Sequence, residues 1–311
     1  MKLGIVLPNQ IPWGLNRSVM LDWARVADRA GFYGLGTIDK MNFDGWDLMP
    51  TLAAAAAVTE RIRLATTILQ LPARNEVEVA KQAATIDVLS EGRLDLGVAV
   101  GGRPDDYDAY GVPDRFASRG RRFPEQIARI RRIWEEARGS TDVRGAFGPA
   151  PVQESIPIFL GGGTEATVQR AVEIGDGFIF GTAGAEAMAR RAPEIRQMAE
   201  AAGRRTFPIH GLAYVALGPD PRKVLEQGTR SLLRYYGRLW RPAEELIHHG
   251  PADTVLEDVR AYERSGIEVL YLWPVVLDVN QVDLLAEGVL PHYVSSVPPR
   301  RTEAPSGGEV R

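Results

Sequence analysis

The stretch that decides the fold is residues 64–102, LATTILQLPARNEVEVAKQAATIDVLSEGRLDLGVAVGG. It contains an apolar run at 64–69, a helix-compatible segment at 75–89 and a second apolar run at 93–100 that ends at two glycines. A strand, a helix and a strand of these lengths are typical of a right-handed crossover between parallel strands. We therefore predict two neighbouring strands here, with Thr67 and the glycine pair at their carboxyl ends.

The same alternation runs through most of the chain. Apolar runs that predict strands lie at 2–7, 32–38, 64–69, 93–100, 156–160, 177–180, 207–217 and 267–273. Eight strands that alternate with helices predict an α/β fold, a (β/α)8 TIM barrel over residues 1–295 with an insertion after the fourth strand at 101–118. We predict extra helices before the eighth strand, over 220–265, and a helix capped by Ser18 after the first strand. Residues 296–311 are rich in proline, glycine and charge and are predicted to be a disordered tail.

Composition narrows the functional class. The 311 residues are 45% hydrophobic, enough for a full core, and the net charge of -3 without a basic stripe argues against a nucleic acid partner. The chain has no cysteine, which excludes disulfides and thiolate chemistry. The longest apolar run, at 52–58, is far shorter than the ~20 residues that span a bilayer, and no signal-like segment precedes the first strand. We expect a soluble, cytoplasmic protein without a membrane partner.

The barrel prediction locates the chemistry, because active sites of this fold lie at the carboxyl ends of the strands. The candidates at these positions are Asn9, Gln10, Asp39, Lys40, Thr67, Gln70, residues 101–106, residues 161–164, Gly181, Thr182 and Trp273. His210 lies near the start of its predicted strand, at the opposite end, so we expect it to be structural.

The clearest binding motif is Gly161-Gly162-Gly163-Thr164, which follows an apolar strand and begins a helix. Free N–H groups at a helix start favour an anion, and glycines allow the backbone to approach a phosphate closely. Gly181 and Thr182, after the next strand, are predicted to supply further donors. On the residues alone, a tight turn explains the glycines equally well.

Three segments carry a resemblance to a known family: AAAVTERIRLATTIL at 55–69, QAATIDVLSEGRLDLGVAVGG at 82–102 and PIFLGGGTEATVQRAVEIGDGFI at 157–179. They resemble the luciferase-like monooxygenases, and the resemblance extends from about residue 1 to about residue 290. It implies a flavin-dependent oxidoreductase that acts on a small organic substrate. The reaction would be hydride transfer with the deazaflavin coenzyme F420, or oxygen activation with reduced FMN from a separate flavin reductase. A homodimer is also implied.

The resemblance assigns roles to the candidate residues. Residues 161–164 with Gly181 and Thr182 would form the cofactor phosphate site, Thr67, Ile68 and Gly101 would contact the flavin ring, and Gly102 would be a further cofactor-binding residue. It also implies a non-prolyl cis peptide bond between Thr67 and Ile68. For the substrate we predict contacts with Asn9, Gln70, Arg103, Tyr107 and Trp273, the third and fourth of which lie in the insertion.

Lys40 departs from the family pattern, because many members have histidine at this position. We predict that Lys40 stays charged and stabilises developing negative charge, with Asp39 paired to it or orienting it. A general base requires burial to lower its pKa from ~10.4, and a solvated surface pair is the plain alternative.

Val100 is the second departure, since luciferases that use FMN have an arginine there that contacts the phosphate. Its absence slightly favours F420 over FMN, although Arg103 is an alternative phosphate contact. We predict no metal, because Asp105 and Asp106 lack the further carboxylates that a hard cation needs. Two other functions stay open: a barrel that binds flavin without catalysis, and a lyase or isomerase with Lys40 as a Schiff-base lysine.

Overall fold

A computed structural model describes residues 1–10, 14–139, 147–276, 278 and 280–293. The strands are β1 (Lys2–Val6), β2 (Gly34–Thr37), β3 (Arg63–Thr66), β4 (Leu69–Gln70), β5 (Leu94–Ala99), β6 (Ile158–Gly161), β7 (Gly177–Ile179), β8 (Ile209–Leu217), β9 (Ile247–Gly250) and β10 (Val269–Pro274). All pairings are parallel, and β10 pairs with both β1 and β8, which closes the sheet. With β3 and β4 as one interrupted strand and β9 outside the ring, the barrel has eight strands. The TIM barrel prediction is confirmed, while the predicted tail at 296–311 lies outside the described residues.

Helices fill the connections between the strands. They are α1 (Arg17–Ala30), α2 (Leu48–Ala56), α3 (Glu76–Leu89), α4 (Pro104–Ala109), α5 (Arg115–Gly139), α6 (Glu165–Ile174), α7 (Ala185–Ala201), α8 (Pro221–Tyr236), α9 (Ala243–Leu246), α10 (Ala252–Arg260) and α11 (Gln281–Gly288). The cap prediction at Ser18 is wrong, because the side chain of Asn16 accepts from the backbone N–H of Val19. The chain before α10 is not all helical either, since residues 247–250 pair with β8 as strand β9. In the part of the chain that is described, no helix has the length and apolar character needed to cross a membrane.

The predicted third strand is interrupted at Thr67 and Ile68. The Thr67 amide donates to the Thr37 carbonyl at 2.7 Å, and the Thr66 hydroxyl donates to the Gly97 carbonyl at 2.6 Å. Pairing with β5 resumes at Leu69, so the two intervening residues form a bulge. The expected cis bond is not present: among the described residues the cis peptide bond is Gly148–Pro149.

His210 belongs to the barrel interior near the amino ends of the strands. Its ring stacks on Phe159 with the centroids 4.3 Å apart. Burial, with help from the positive charges of Arg63 and Lys2, lowers the pKa of His210 to about 3. A permanently neutral, stacked imidazole at this end of the barrel is a packing residue, as its position in the sequence predicts.

Candidate functional site

Two adjoining cavities lie at the carboxyl ends of the strands. The first, of about 540 Å³, is lined by Thr67, Ile68, Ala99, Gly161, Gly162, Gly163, Val168, Phe178, Ile179, Phe180, Gly181, Thr182, Ala183, Ala187, Arg191 and Leu212. The second, of about 560 Å³, is lined by Ala99, Val100, Gly101, Gly102, Arg119, Gly120, Gly161, Gly162, Gly163, Thr164, Ala166, Thr167 and Arg170. The glycine motif forms the wall that they share. The structure therefore brings together all ten residues that the sequence analysis assigned to the cofactor.

The glycine motif is tightly packed at Gly161 and Gly162 and faces open space at Gly163. A Cβ atom on Gly161 would lie 2.1 Å from the Cδ1 atom of Ile68, so the bulge residue Ile68 packs directly on the Gly161 backbone. Gly162 has a φ of 150°, and its Cβ would contact Thr167 at 2.9 Å. A Cβ on Gly163 would meet nothing within 4 Å. Backbone at Gly163 is therefore accessible to a ligand.

The second cavity is positively charged. Arg119 donates from Nε to the Gly101 carbonyl at 3.2 Å and stacks on Phe116, and Arg170 lies over Phe123. Within the described ranges, neither arginine forms an ion pair with a carboxylate. These two charges stand beside the amino end of α6, where Thr164 caps the helix by accepting from the Thr167 amide at 3.3 Å. Such a combination of free cations and helix N–H groups attracts a phosphate.

The first cavity is mostly apolar. Ile68, Ala99, Phe180 and Leu212 contribute to its walls, and the hydroxyls of Thr67 and Thr182 are among its few polar groups. Its cation, Arg191, is neutralised by Glu165 at 2.7 Å and by Glu194. This cavity suits a flat ring better than a phosphate. Gly181 and Thr182 line this apolar cavity and not the second one, which contains Arg119 and Arg170.

Two arginines of the second cavity, Arg119 and Arg170, were not among the residues predicted from the sequence. Arg170 had a usable signal, because Thr164, Thr167 and Arg170 are spaced by three residues and share one face of α6. Arg119 had none, since its position depends on how α5 packs. Arg103, which we considered as an alternative phosphate contact, lines neither cavity and instead pairs with Asp106 at 3.1 Å.

Asp39 does not pair with Lys40, so this expectation is wrong. Its carboxylate forms an ion pair with Arg74 at 2.9 Å, and the side chains of the two residues are 3% and 10% exposed. It also accepts from the Gln70 amide at 2.9 Å and from the Tyr110 hydroxyl at 3.2 Å. Asp39 thus fastens β4 and the insertion to the end of β2.

Replacing Asp39 by alanine is expected to destabilise the protein by about 1.5–3 kcal/mol, because the guanidinium of Arg74 would lose its buried partner and keep only Asp47, at 3.0 Å, whose side chain is 34% exposed. Thermal or urea unfolding of Asp39→Ala checks this. The double variant Asp39→Ala, Arg74→Met is the control, and it should recover part of the lost stability. Wild-type stability in the single variant would contradict the anchoring role.

Lys40 is held at the end of α8. Its Nζ atom donates to the Tyr235 carbonyl at 2.6 Å and lies 4.8 Å from the centroid of the Tyr235 ring. Tyr235 is in the last turn of α8, where carbonyls lack helical partners and the helix dipole favours a cation. Burial and the nearby charge of Arg103 lower the pKa of Lys40, against the opposing effect of Asp106 and Asp105. Lys40 is therefore not a solvated surface residue.

Two predicted substrate contacts are structural. Asn9 is fully buried: its side chain accepts from the Ile38 amide at 3.1 Å and donates to the carbonyls of Ile38 at 2.8 Å and Trp46 at 3.1 Å. Tyr107 is also fully buried and donates to the Val100 carbonyl. These contacts leave neither side chain facing the cavities.

Two of the other three substrate candidates, Trp273 and Arg103, border an aromatic cluster, and Gln70 is connected to Arg103 through Asp106. Trp273 packs on Tyr214 and Tyr235 with ring centroids 5.1 Å and 5.6 Å apart. Arg103 lies over the rings of Tyr235 and Tyr236, and the side-chain amide of Gln70 donates to Asp106 at 3.1 Å. The last turn of α8 thus covers the barrel mouth beside Lys40. Sequence reasoning gave no sign of this cover, because α8 is distant in sequence from β2.

Comparisons with known proteins show the family of the chain. The luciferase-like monooxygenase profile matches residues 1–268. An uncharacterised Mycobacterium tuberculosis protein is 35% identical over 181 residues, which are 56% of this chain and 62% of that protein. The matched part therefore spans less than two thirds of this relative.

Solved structures show the same fold. The coenzyme F420-dependent tetrahydromethanopterin reductase of Methanopyrus kandleri has a TM-score of 0.72 at 19% identity, covering 94% of this chain and 99% of that one. The oxygenating constituent of 3,6-diketocamphane monooxygenase from Pseudomonas putida, in complex with FMN, has a TM-score of 0.74 at 16% identity, with coverages of 96% and 99%. The profile match over most of the chain shows the family: the chain belongs to the luciferase-like monooxygenases.

Proposed function

We propose that this protein is a flavin-dependent oxidoreductase that binds FMN or coenzyme F420 across the two cavities. The phosphate would lie in the second cavity against Gly163, Arg119 and Arg170, and the ring would lie in the first, against Ile68 and Thr67. The observation that carries the proposal is the pair of cations beside the start of α6, Arg119 and Arg170, which have no carboxylate partner among the residues that the structure describes. The residues present therefore fit a phosphate-bearing ring cofactor.

In this proposal the cofactor supplies the redox chemistry, and the chain supplies placement and electrostatics. Ile68 presents an apolar surface to the ring, and the barrel floor excludes water from that side. The substrate, a small organic molecule, would lie toward Lys40, Tyr235 and Trp273. Lys40, positioned by its contact with α8, would stabilise negative charge that develops on the bound molecules.

The structure weakens the sequence-based preference for F420. Val100 favoured F420 because it replaces a phosphate-binding arginine, but Arg119 places a cation in the same cavity. The family relatives include proteins of both cofactor types. We therefore retain both cofactors. With FMN, a separate flavin reductase would be the partner, and we propose a homodimer as the assembly.

The two alternative functions are a Schiff-base lyase or isomerase and a barrel that binds flavin without catalysis, and they require different roles of Lys40 and the cavities. A Schiff-base lyase needs Lys40 in an open cavity, whereas Lys40 lines neither cavity and its ammonium group donates to a backbone carbonyl. A flavin-binding barrel without catalysis would bind the cofactor but support no turnover. Reduction of bound cofactor by candidate substrates separates it from our proposal.

Neutralising the two arginines tests the phosphate site. We expect Arg119→Gln and Arg170→Gln each to weaken binding of FMN by about tenfold or more, because a charge-assisted hydrogen bond contributes about 1.5–3 kcal/mol. Affinity for riboflavin, which lacks the phosphate, should hardly change. F420 and its phosphate-free deazariboflavin part form the equivalent pair, and fluorescence titration measures all four.

Arg132→Gln is the matched control, since Arg132 is exposed on the same helix as Arg119. It should bind FMN like the wild type. An equal loss of FMN and riboflavin affinity in the two test variants would contradict a phosphate contact at these arginines.

A further inference from the structure

A second pair of cations lies at the barrel mouth, outside both cavities. Lys40 follows β2, and Arg103 precedes α4 in the insertion. Both border the ring of Tyr235: the Lys40 Nζ atom lies 4.8 Å from its centroid, and the Arg103 guanidinium carbon lies 5.6 Å from it. Two positive charges therefore share one aromatic ring.

The pair has hydrogen-bond donors to spare. An ammonium group has three donors, and one of those on Lys40 is used by the Tyr235 carbonyl at 2.6 Å. No carboxylate in the described part of the chain lies within ion-pair distance of Lys40. Arg103 donates from Nε to Asp106 at 3.1 Å and its side chain also interacts with the Tyr235 side chain, while its buried Nη1 atom has no hydrogen-bond partner among the described residues. Buried donors of charged groups favour a ligand that accepts hydrogen bonds and carries negative charge.

The carboxylates nearby do not remove this preference. Asp106 is held by both Arg103 and the side-chain amide of Gln70 at 3.1 Å. Asp105 is exposed and accepts from Asn42 at 2.9 Å. Neither forms an ion pair with Lys40.

Aromatic surface surrounds the two cations. Phe43 and Trp273 contact the Tyr235 ring edge to face, with centroids 5.3 Å and 5.6 Å away. Both rings and Tyr235 are at least partly buried. Such walls suit a flat or apolar body. A cationic ligand would compete with Lys40 and Arg103 for the same ring faces and would be repelled by both.

We propose that this mouth selects an acidic substrate, a compact aromatic or apolar molecule with one carboxylate or similar oxyanion. The oxyanion would lie between Lys40 and Arg103, and the body would pack against Tyr235 and Trp273. The inference rests on the proposed function only in treating this ligand as the substrate of the neighbouring cofactor.

Benzoate is the probe, with benzamide and benzylamine as its neutral and cationic counterparts, in calorimetric titrations of the full chain with and without saturating FMN. We expect benzoate to bind at least about tenfold more tightly than benzamide, and benzylamine to bind more weakly than both. Saturation with FMN should leave benzoate binding in place. If FMN displaced benzoate, the benzoate carboxylate would be bound at the phosphate site instead of at the barrel mouth, and the proposal would be overturned.

Variants test the two cations. Lys40→Gln and Arg103→Gln should each lose the preference for benzoate over benzamide. Lys40→Arg should keep it, as should Lys223→Gln, a matched control on the exposed first turn of α8. FMN affinity, measured in each variant, separates a failure of this inference from a failure of the proposed function. Equal binding of benzoate and benzamide by the wild type, absence of benzoate binding, or a preference that survives in the Lys40→Gln, Arg103→Gln double variant would overturn it.

Discussion

A carboxylate at position 163 is expected to abolish cofactor binding. The side chain of Gly163→Asp would extend into open space, so the folded backbone accepts it without a clash. Its negative charge would stand at the amino end of α6, where we place the phosphate, and like charges there repel. We expect the affinity for FMN or F420 to fall by more than about a hundredfold, a loss of ~2.7 kcal/mol or more, measured by fluorescence titration.

The control is Gly163→Asn, which has nearly the same shape without the charge. It should retain most of the affinity, and both variants should unfold close to the wild-type temperature. Position 162 is less suitable, because its φ of 150° and its contact with Thr167 would add backbone strain to any charge effect. Tight cofactor binding by folded Gly163→Asp would remove the phosphate from this position.

Loss of the charge at Lys40 is expected to have the second largest effect. Lys40→Ala should lower kcat/KM by about a hundredfold, the usual cost of removing one preorganised donor, while Lys40→Arg should keep part of the activity. Cofactor affinity should survive both changes, because Lys40 lines neither cavity. Steady-state kinetics and cofactor titration on the same preparations give the two quantities.

The pH profile gives an independent test of Lys40. A charged stabiliser works in its protonated form, so activity should be complete below the pKa of Lys40 and fall as pH rises through it. Since burial and Arg103 lower that pKa, the alkaline fall should begin below the usual lysine value of 10.5. A general base would instead give an ascending limb, and Lys40→Arg would then be as inactive as Lys40→Ala. Full activity in Lys40→Ala would show that Lys40 takes no part in the reaction.

The sequence predicts the barrel well because its signals are local. Apolar runs, a helix start at Thr164 and glycines at strand ends each depend on a few adjacent residues, and the fold rule then gathers their carboxyl ends. The residues predicted to bind the cofactor come together around the two cavities for this reason. Contacts between distant elements were not found: the Lys40 contact with Tyr235 spans 195 residues, and the Asp39 pair with Arg74 spans 35. Asn9 and Tyr107 were misassigned because position at a strand end does not reveal which polar groups are already bonded.

Titration of the purified full chain with FMN and with coenzyme F420 tests the central claim most directly. We expect at least one of them to bind at low micromolar concentration or tighter, with a marked weakening in Gly163→Asp and little change in Gly163→Asn. Failure of the folded protein to bind either cofactor, or binding that Gly163→Asp leaves unchanged, would contradict the account.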